Sequence, residues 1–422
     1  MNGIKLSHKS LVMKKLIVLF VIVMMISTSC KNPQRPDDAD RFVKGKFGYD
    51  LAFLSQKDSD LIVLSNNGGK SQIIISPKYQ AKVFTSTANG PAGTSFGFVN
   101  YDVLNADAPD EHMNGYGGEN RFWLGPEGGK FSVFFAKNTE QVYDNWHTPK
   151  PIDTESWEVA SADTKSAVLK KEMQVTNYLG NQFKLNVERK IALMEPAEAC
   201  RQLGIEANRK INMVAYQTDN TITNMSDFEW TQETGTICIW MLDMFNPGPN
   251  AVTVIPFNEG DEAQLGKTVT SDYFGEIPAD RFKVLQNMIF LKTDGNFRSK
   301  IGLNSKRTKA IAGNYDPDSK RLTIMTFNVE KDATYLNQEW NPAKNPLTGD
   351  ALNAYNDGPL ANGSIMGPFL ELESVSPAAF LKPTQSLSHR HTVFHFSGDE
   401  TALNPIAEQL LGISLQEIKG AF

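Results

Sequence analysis

Glutamates and histidines gather near the C-terminus of this 422-residue chain. Glu371 and Glu373 are one residue apart in Phe369-Leu370-Glu371-Leu372-Glu373-Ser374-Val375. His389, His391 and His395 fall within seven residues and make up half of the six histidines. If both segments are strands, alternation puts Glu371, Glu373 and Val375 on one face of the first. It puts His389, His391, Val393 and His395 on one face of the second. Adjacent carboxylates repel unless a cation answers them, and the repulsion can raise one pKa into the range of a general acid or base. Histidine works in the same range. Interconversion of sugar anomers needs one group at the anomeric hydroxyl and another at the ring oxygen, and a Glu/His pair across adjacent strands could supply both. The structural alternative is a solvated edge strand whose histidines pair with Glu371 or Glu373. His-x-His spacing could also bring ligands to one ion, but the spacing is weakly specific, and neither a metal nor a cofactor is expected.

A second dense segment, Gly115-Tyr116-Gly117-Gly118-Glu119-Asn120-Arg121-Phe122-Trp123-Leu124-Gly125-Pro126-Glu127-Gly128-Gly129, sets two carboxylates, a guanidinium and two aromatic rings among glycines. Glycine allows close backbone approach. Glu119, Arg121, Trp123 and Glu127 are the residue types that hold a polyhydroxylated ligand; the alternative is a hairpin loop whose Arg pairs with a Glu. Trp146 and His147 lie in a loop over residues 144–151, where Trp146 reads as a stacking platform or as a lid on the core. Trp230 and Trp240 sit in strand-like runs and are expected in the core.

The N-terminus predicts a compartment. Met13-Lys14-Lys15 precedes an unbroken apolar run from Leu16 to Ile26, then Ser27-Thr28-Ser29-Cys30. This is the pattern of a secretory signal rather than a spanning helix. With a cysteine directly after the small residues, residues 1–30 read as a lipoprotein signal in which Cys30 carries lipid. Residues 31–41, polar and broken by proline, read as a flexible tether. The expected location is the bacterial cell envelope, with the membrane reached through the lipid. The net charge of −6 and the lack of a basic block beyond the signal exclude nucleic acid as an expected partner. No phosphate-loop or dinucleotide fingerprint occurs.

The elements that must position these residues are strands. Residues 60–64 and 72–75 flank Asn66-Asn67-Gly68-Gly69, a hairpin signal. Residues 166–175 and 182–193 flank Asn177-Tyr178-Leu179-Gly180-Asn181; in the second run Leu185, Val187, Ile191 and Leu193 share a face that Arg189 interrupts. Strand patterns recur to residue 396. Only residues 400–419 show helical spacing, with Pro405 suited to a first turn. The pattern predicts an all-β chain with a short C-terminal helix, forming one domain over residues 42–422. Cys200 and Cys238 show no metal-ligand spacing.

Three segments carry a resemblance: Gly117 to Glu127, the run around Trp240, and Phe369 to Pro377. They are similar to segments of an uncharacterised bacterial lipoprotein family with a galactose-mutarotase-like fold. The resemblance implies a large antiparallel β-supersandwich with a carbohydrate-binding groove. It also implies a late-strand glutamate as base, matched by Glu371 or Glu373, and a mid-chain histidine as acid. No histidine occurs between residues 148 and 388, so His147, His389 and His391 are the acids to be considered. Two functions stay open: an aldose epimerase acting on exported sugars, and a glycan-binding or structural envelope lipoprotein without catalysis.

Overall fold

Apolar side chains at every second position build a layered β structure. The computed structural model describes residues 41–360 and 362–422. The expected signal, Cys30 and all of the tether except Arg41 lie outside the described residues.

The largest sheet has ten strands. In spatial order they are β11 (Phe282–Leu285), β12 (Met288–Lys292), β10 (Val252–Pro256), β14 (Ile311–Asp316), β15 (Arg321–Phe327), β18 (Ser386–Ser397), β8 (Asn212–Asn224), β7 (Gln182–Leu193), β6 (Ser166–Thr176) and β5 (Glu158–Ala162). A five-stranded sheet runs β13 (Ser299–Leu303), β16 (Leu352–Asn356), β17 (Leu370–Val375), β9 (Cys238–Phe245) and β4 (Arg121–Gly125). The third sheet is β1 (Ile62–Asn66), β2 (Ser71–Ser76) and β3 (Lys82–Thr87). Neighbouring strands pair antiparallel throughout. The expected all-β, antiparallel architecture is the observed one.

The main core lies between the ten- and five-stranded sheets. Leu185, Val187, Ile191, Ile222 and Val393 from the larger sheet join Ile239, Met241, Ile301, Leu352 and Leu372 from the smaller one. Strand β7 alternates between buried and water-facing residues, which marks a strand covered on one side. The opposite face of β8, β10, β15 and β18 is covered at one end by α3 (Pro196–Leu203), α5 (Glu400–Leu411) and α6 (Leu415–Lys419). Cys200 and Cys238 are free and buried.

The helices differ from expectation in four ways. α1 (Phe47–Lys57) is a helix that the strand-dominated reading missed. Its Phe47, Leu51 and Leu54 recur at helical spacing and pack on Ile74 and Phe84 of the three-stranded sheet. Two short helices, α2 (Tyr101–Asn105) and α4 (Glu262–Leu265), lie in connections. The single tail helix is two, because Gly412 ends α5 in the left-handed region at φ 77° and Ser414 restarts the chain with a capping box to Glu417. Pro405 lies inside α5 rather than in its first turn, since the helix already begins after Asp399.

Leu54 is fully buried between α1 and the three-stranded sheet. Leu54→Ala is expected to cost about 2–5 kcal/mol, read as a lower urea midpoint at unchanged slope.

Candidate functional site

Strand β17 separates two chemistries by alternation. Leu370, Leu372 and Ser374 point at the ten-stranded sheet, and Glu371 and Glu373 point away from it. The inward face meets histidine. Ser374 Oγ lies 2.8 Å from His389 Nε2 and 2.7 Å from His391 Nδ1. His391 Nε2 lies 2.6 Å from Asp243 Oδ2 of β9. A carboxylate can only accept, so His391 donates from Nε2, accepts from the Ser374 hydroxyl at Nδ1, and Ser374 accepts from His389. Burial and the neighbouring His391 push the His389 pKa down to about 3, which keeps that ring neutral. The chain continues sideways. Asn120 Nδ2 donates to Asp243 Oδ1 at 2.6 Å, and Arg189 donates to Asn120 Oδ1 at 2.5 Å and to Asn220 Oδ1 at 2.9 Å. The Arg189 that breaks the apolar face of β7 is therefore a member of a buried polar seam, with no exposed surface of its own.

This seam corrects the expected Glu/His pair. β17 and β18 lie in different sheets, so His389 and His391 meet the back of β17 and never reach Glu371 or Glu373. Glu119 also belongs to the interior. Its Oε1 accepts from Ser86 at 2.7 Å and lies 3.0 Å from His395 Nε2. His147 is exposed, with Nδ1 2.9 Å from the Glu111 carbonyl oxygen. Trp146 is buried in a ring cluster. Two glycines of the first dense segment serve chain packing. A Cβ on Gly117, at φ 85°, would lie 2.2 Å from the Phe98 carbonyl oxygen, and one on Gly128 would lie 2.4 Å from that of Glu339.

The outward face of the five-stranded sheet gathers the remaining candidates. Register sets Arg121 opposite Leu242, Leu242 opposite Glu373, Glu373 opposite Asn353 and Glu371 opposite Tyr355. Arg121 makes an ion pair with Glu371, and its guanidinium lies 5.3 Å from the Trp123 ring centroid. Glu373 Oε2 accepts from Lys300 Nζ of β13 at 3.0 Å and from Trp240 Nε1 at 2.8 Å. Lys300 lies 4.8 Å from the Trp240 ring centroid. Trp240 is thus buried as expected, but it acts as a donor to the charged face.

All of these charged groups are at least nine-tenths buried, and Arg121 Nε and Glu373 Oε1 have no hydrogen-bond partner. Such atoms are costly unless something fills the space beside them. Burial pushes the Glu371 pKa up to about 8 against the pull of Arg121, with Glu373 adding repulsion. Burial also raises Glu127, which faces Lys300 and Glu373 and accepts from the Trp340 side chain. On the Arg121 side, burial lowers Lys82 to about 7, with Arg121 reinforcing the shift and Asp153 opposing it.

The rim is partly aromatic. Phe274 is 46% exposed beneath the Arg298 guanidinium, 3.9 Å from its ring centroid, and Trp340 is 36% exposed. Tyr273 donates to Asp350 at 2.6 Å, and Tyr355 to Asp357 at 2.6 Å. Lys300, Asn353 and Tyr273 were missed in the sequence; Lys300 lies on β13, whose five residues lack a β-branched run. Gly93-Thr94-Ser95-Phe96-Gly97 has the spacing of a nucleophile elbow, but Ser95 is buried and hydrogen-bonded to Asp50, and no helix starts directly after it. Ser95 borders a separate cavity of about 760 Å³ between α1, α2 and the β14–β15 turn. Among the described residues, no three His, Cys, Asp or Glu side chains are arranged to hold a metal ion, and no helix is long and apolar enough to cross a membrane.

Residues 45–422 match the sequence profile of DUF6786, a family of unknown function. No curated protein matches the chain. Solved structures align over most of its length. A candidate aldose 1-epimerase from Escherichia coli K12 is 12% identical and aligns over 79% of this chain and 98% of its own, with a TM-score of 0.47. A galactose mutarotase-like protein from Lactobacillus casei is 11% identical, over 80% and 99%, at 0.44. A galactose mutarotase-related enzyme from Lactobacillus acidophilus is 9% identical, over 81% and 98%, at 0.43.

The raised Glu371 pKa has a definite sign for stability. Between the ordinary carboxyl value of 4.5 and about 8 the folded protein holds a proton that the unfolded chain releases. Rising pH therefore destabilises the fold across that window and has no further effect above it. Glu371→Gln mimics the protonated form, so the stability of the native protein relative to this variant is expected to fall from pH 4.5 to pH 8. Urea midpoints of both proteins across that range measure it.

Proposed function

We propose that this chain, which belongs to the DUF6786 family, binds a carbohydrate on the outward face of the five-stranded sheet and interconverts its anomers there. The observation that carries the reading is the pairing of Glu371, whose pKa burial raises to about 8 against the pull of Arg121, with Glu373, whose Oε1 is buried and unpartnered on the same face. Ring opening needs a base at the anomeric hydroxyl and an acid at the ring oxygen. Residues two apart on a strand lie roughly 7 Å apart, so the two carboxyls can flank one anomeric carbon. Glu373, which accepts from Lys300 and Trp240, takes the hydroxyl proton, and Glu371 delivers its proton to the ring oxygen as the C1–O5 bond breaks. The open aldehyde rotates and closes by the reverse transfers. No histidine is required, which answers the missing mid-chain histidine. Arg121 Nε has no partner and could donate to a hydroxyl, and the buried Trp123 and Trp240 back the charged groups of the face.

A second reading, binding without turnover, is favoured by one observation: Glu371 and Glu373 are each already in an ion pair, with Arg121 and Lys300. Anomer exchange followed by NMR on glucose, galactose, mannose and galacturonate distinguishes the two. Glu373→Gln is expected to lower the rate by about 100-fold or more with affinity changed only a few-fold. Binding of a sugar with no acceleration by the native protein would leave the second reading standing.

The same proposal places the protein at the cell envelope, tethered through residues 31–41 to a lipid on Cys30. The basic, apolar and small-residue order of residues 13–30 supports it. Expressed in a bacterial host, the native chain is expected to incorporate labelled palmitate and to sediment with membranes. Cys30→Ser is expected to lose both; label retained by the variant would remove the lipid site from Cys30.

A further inference from the structure

A row of aromatic rings leads from Glu373 to the protein surface. Trp240, whose Nε1 donates to Glu373, meets Trp123 at 5.6 Å between centroids. Trp123 meets Phe134 at 5.4 Å, and Phe134 lies nearly parallel to Trp146 at 5.9 Å and 5°. From Trp146 the row forks to Trp340, at 5.9 Å and 26°, and to Tyr143, at 6.1 Å and 26°. His112 stacks against Tyr143 at 4.6 Å and against His147 at 4.7 Å and 7°. The inner rings are buried, whereas Tyr143 is 57% exposed, Trp340 is 36% exposed and His147 is exposed.

Three features indicate what such a row accepts. Large rings left partly open to water, both stacked on the buried Trp146, mark a binding surface rather than a core. Each outer ring carries a polar edge beside its face, the amphipathic form that meets a pyranose, whose C–H face is apolar and whose rim is hydroxyl. The row also joins the charged face at two points, through Trp240 at Glu373 and through Trp340 at Glu127. Trp146 Nε1, buried without a partner, lies between the two exposed branches.

We propose that Tyr143, Trp340 and His147 form an outer subsite that holds further units of a glycan whose terminal unit occupies the Glu371–Glu373 face. The substrate class is then the end of an oligosaccharide or polysaccharide rather than a free monosaccharide. This rests on the sugar reading of that face but uses different residues. Binding energy from the outer units positions the terminal ring against the two glutamates.

Calorimetric titration of the full chain with malto-, cello-, xylo- and galacto-oligosaccharides of one to six units tests it. In at least one series, affinity is expected to rise tenfold or more with length. Tyr143→Ala should abolish the rise while leaving monosaccharide affinity and anomer exchange unchanged, and Tyr143→Phe, which keeps the ring face, should restore it. Monosaccharide bound and exchanged with no dependence on length would overturn the outer subsite and leave the proposed reaction standing. A length dependence that persists in Tyr143→Ala would also overturn it. Length-dependent binding lost in Tyr143→Ala, without anomer exchange, would support the subsite and remove the reaction. Failure of every saccharide to bind would overturn both.

Discussion

The hydrogen bond from His391 to Asp243, 2.6 Å between β18 and β9, is the contact on which the rest depends. It joins the two large sheets through polar atoms where the surrounding core is apolar, and it sits at zero exposure on both sides. Burying those groups is tolerable because the chain of donors is satisfied in one direction from His389 to Asp243, while Asn120, itself held by Arg189, donates to the other carboxylate oxygen. A greasy contact between sheets tolerates sliding; a directional one does not. The register of β17 against β18 is therefore held at Ser374, one residue from Glu373. The inner seam holds a fixed platform, and the outer charges stand on it.

On the outer face, the requirement is reversed. Arg121, Glu371, Glu373 and Lys300 come from three strands and neutralise one another in pairs. The polar and aromatic side chains of Trp123, Trp240, Asn353 and Tyr355 fill the spaces between them. Pairing removes most of the electrostatic penalty of burial, but not the hydrogen-bond deficit at Arg121 Nε and Glu373 Oε1. That deficit gives the face its chemical character: it holds one buried unpartnered donor and one buried unpartnered acceptor on a rigid sheet, beside two indole rings.

Much of this was legible in the sequence, and the failures have physical causes. Alternation on Leu370–Val375 correctly separated Glu371 and Glu373 from Ser374, because a strand's period leaves no other choice. Alternation on Ser386–Ser397 also correctly grouped the histidines. Which strand each group would face is a tertiary fact, and the assumption that β17 and β18 were neighbours was wrong. Arg189 looked like a flaw in an apolar face and is the cation of the buried seam. Glu119 and Arg121 are two residues apart yet lie on different faces, because regular strand geometry begins only at Arg121. Lys300 was invisible because β13 and β16 are short and carry few β-branched residues. α1 was missed for the opposite reason: its three core residues have helical spacing but sit next to a strongly strand-like stretch.

The mutual neutralisation of the outer face has a consequence for discrimination between solutes. A surface of one sign draws in any counter-ion of the other, whatever its shape. Here cations and carboxylates cancel within a few ångströms, so little long-range field reaches the solvent to gather ions. An uncharged solute would enter without an electrostatic toll, whereas a charged one would have to compete with a partner already in place. Selection would then fall to the positions of individual hydroxyl groups, which separate stereoisomers of equal size and equal charge.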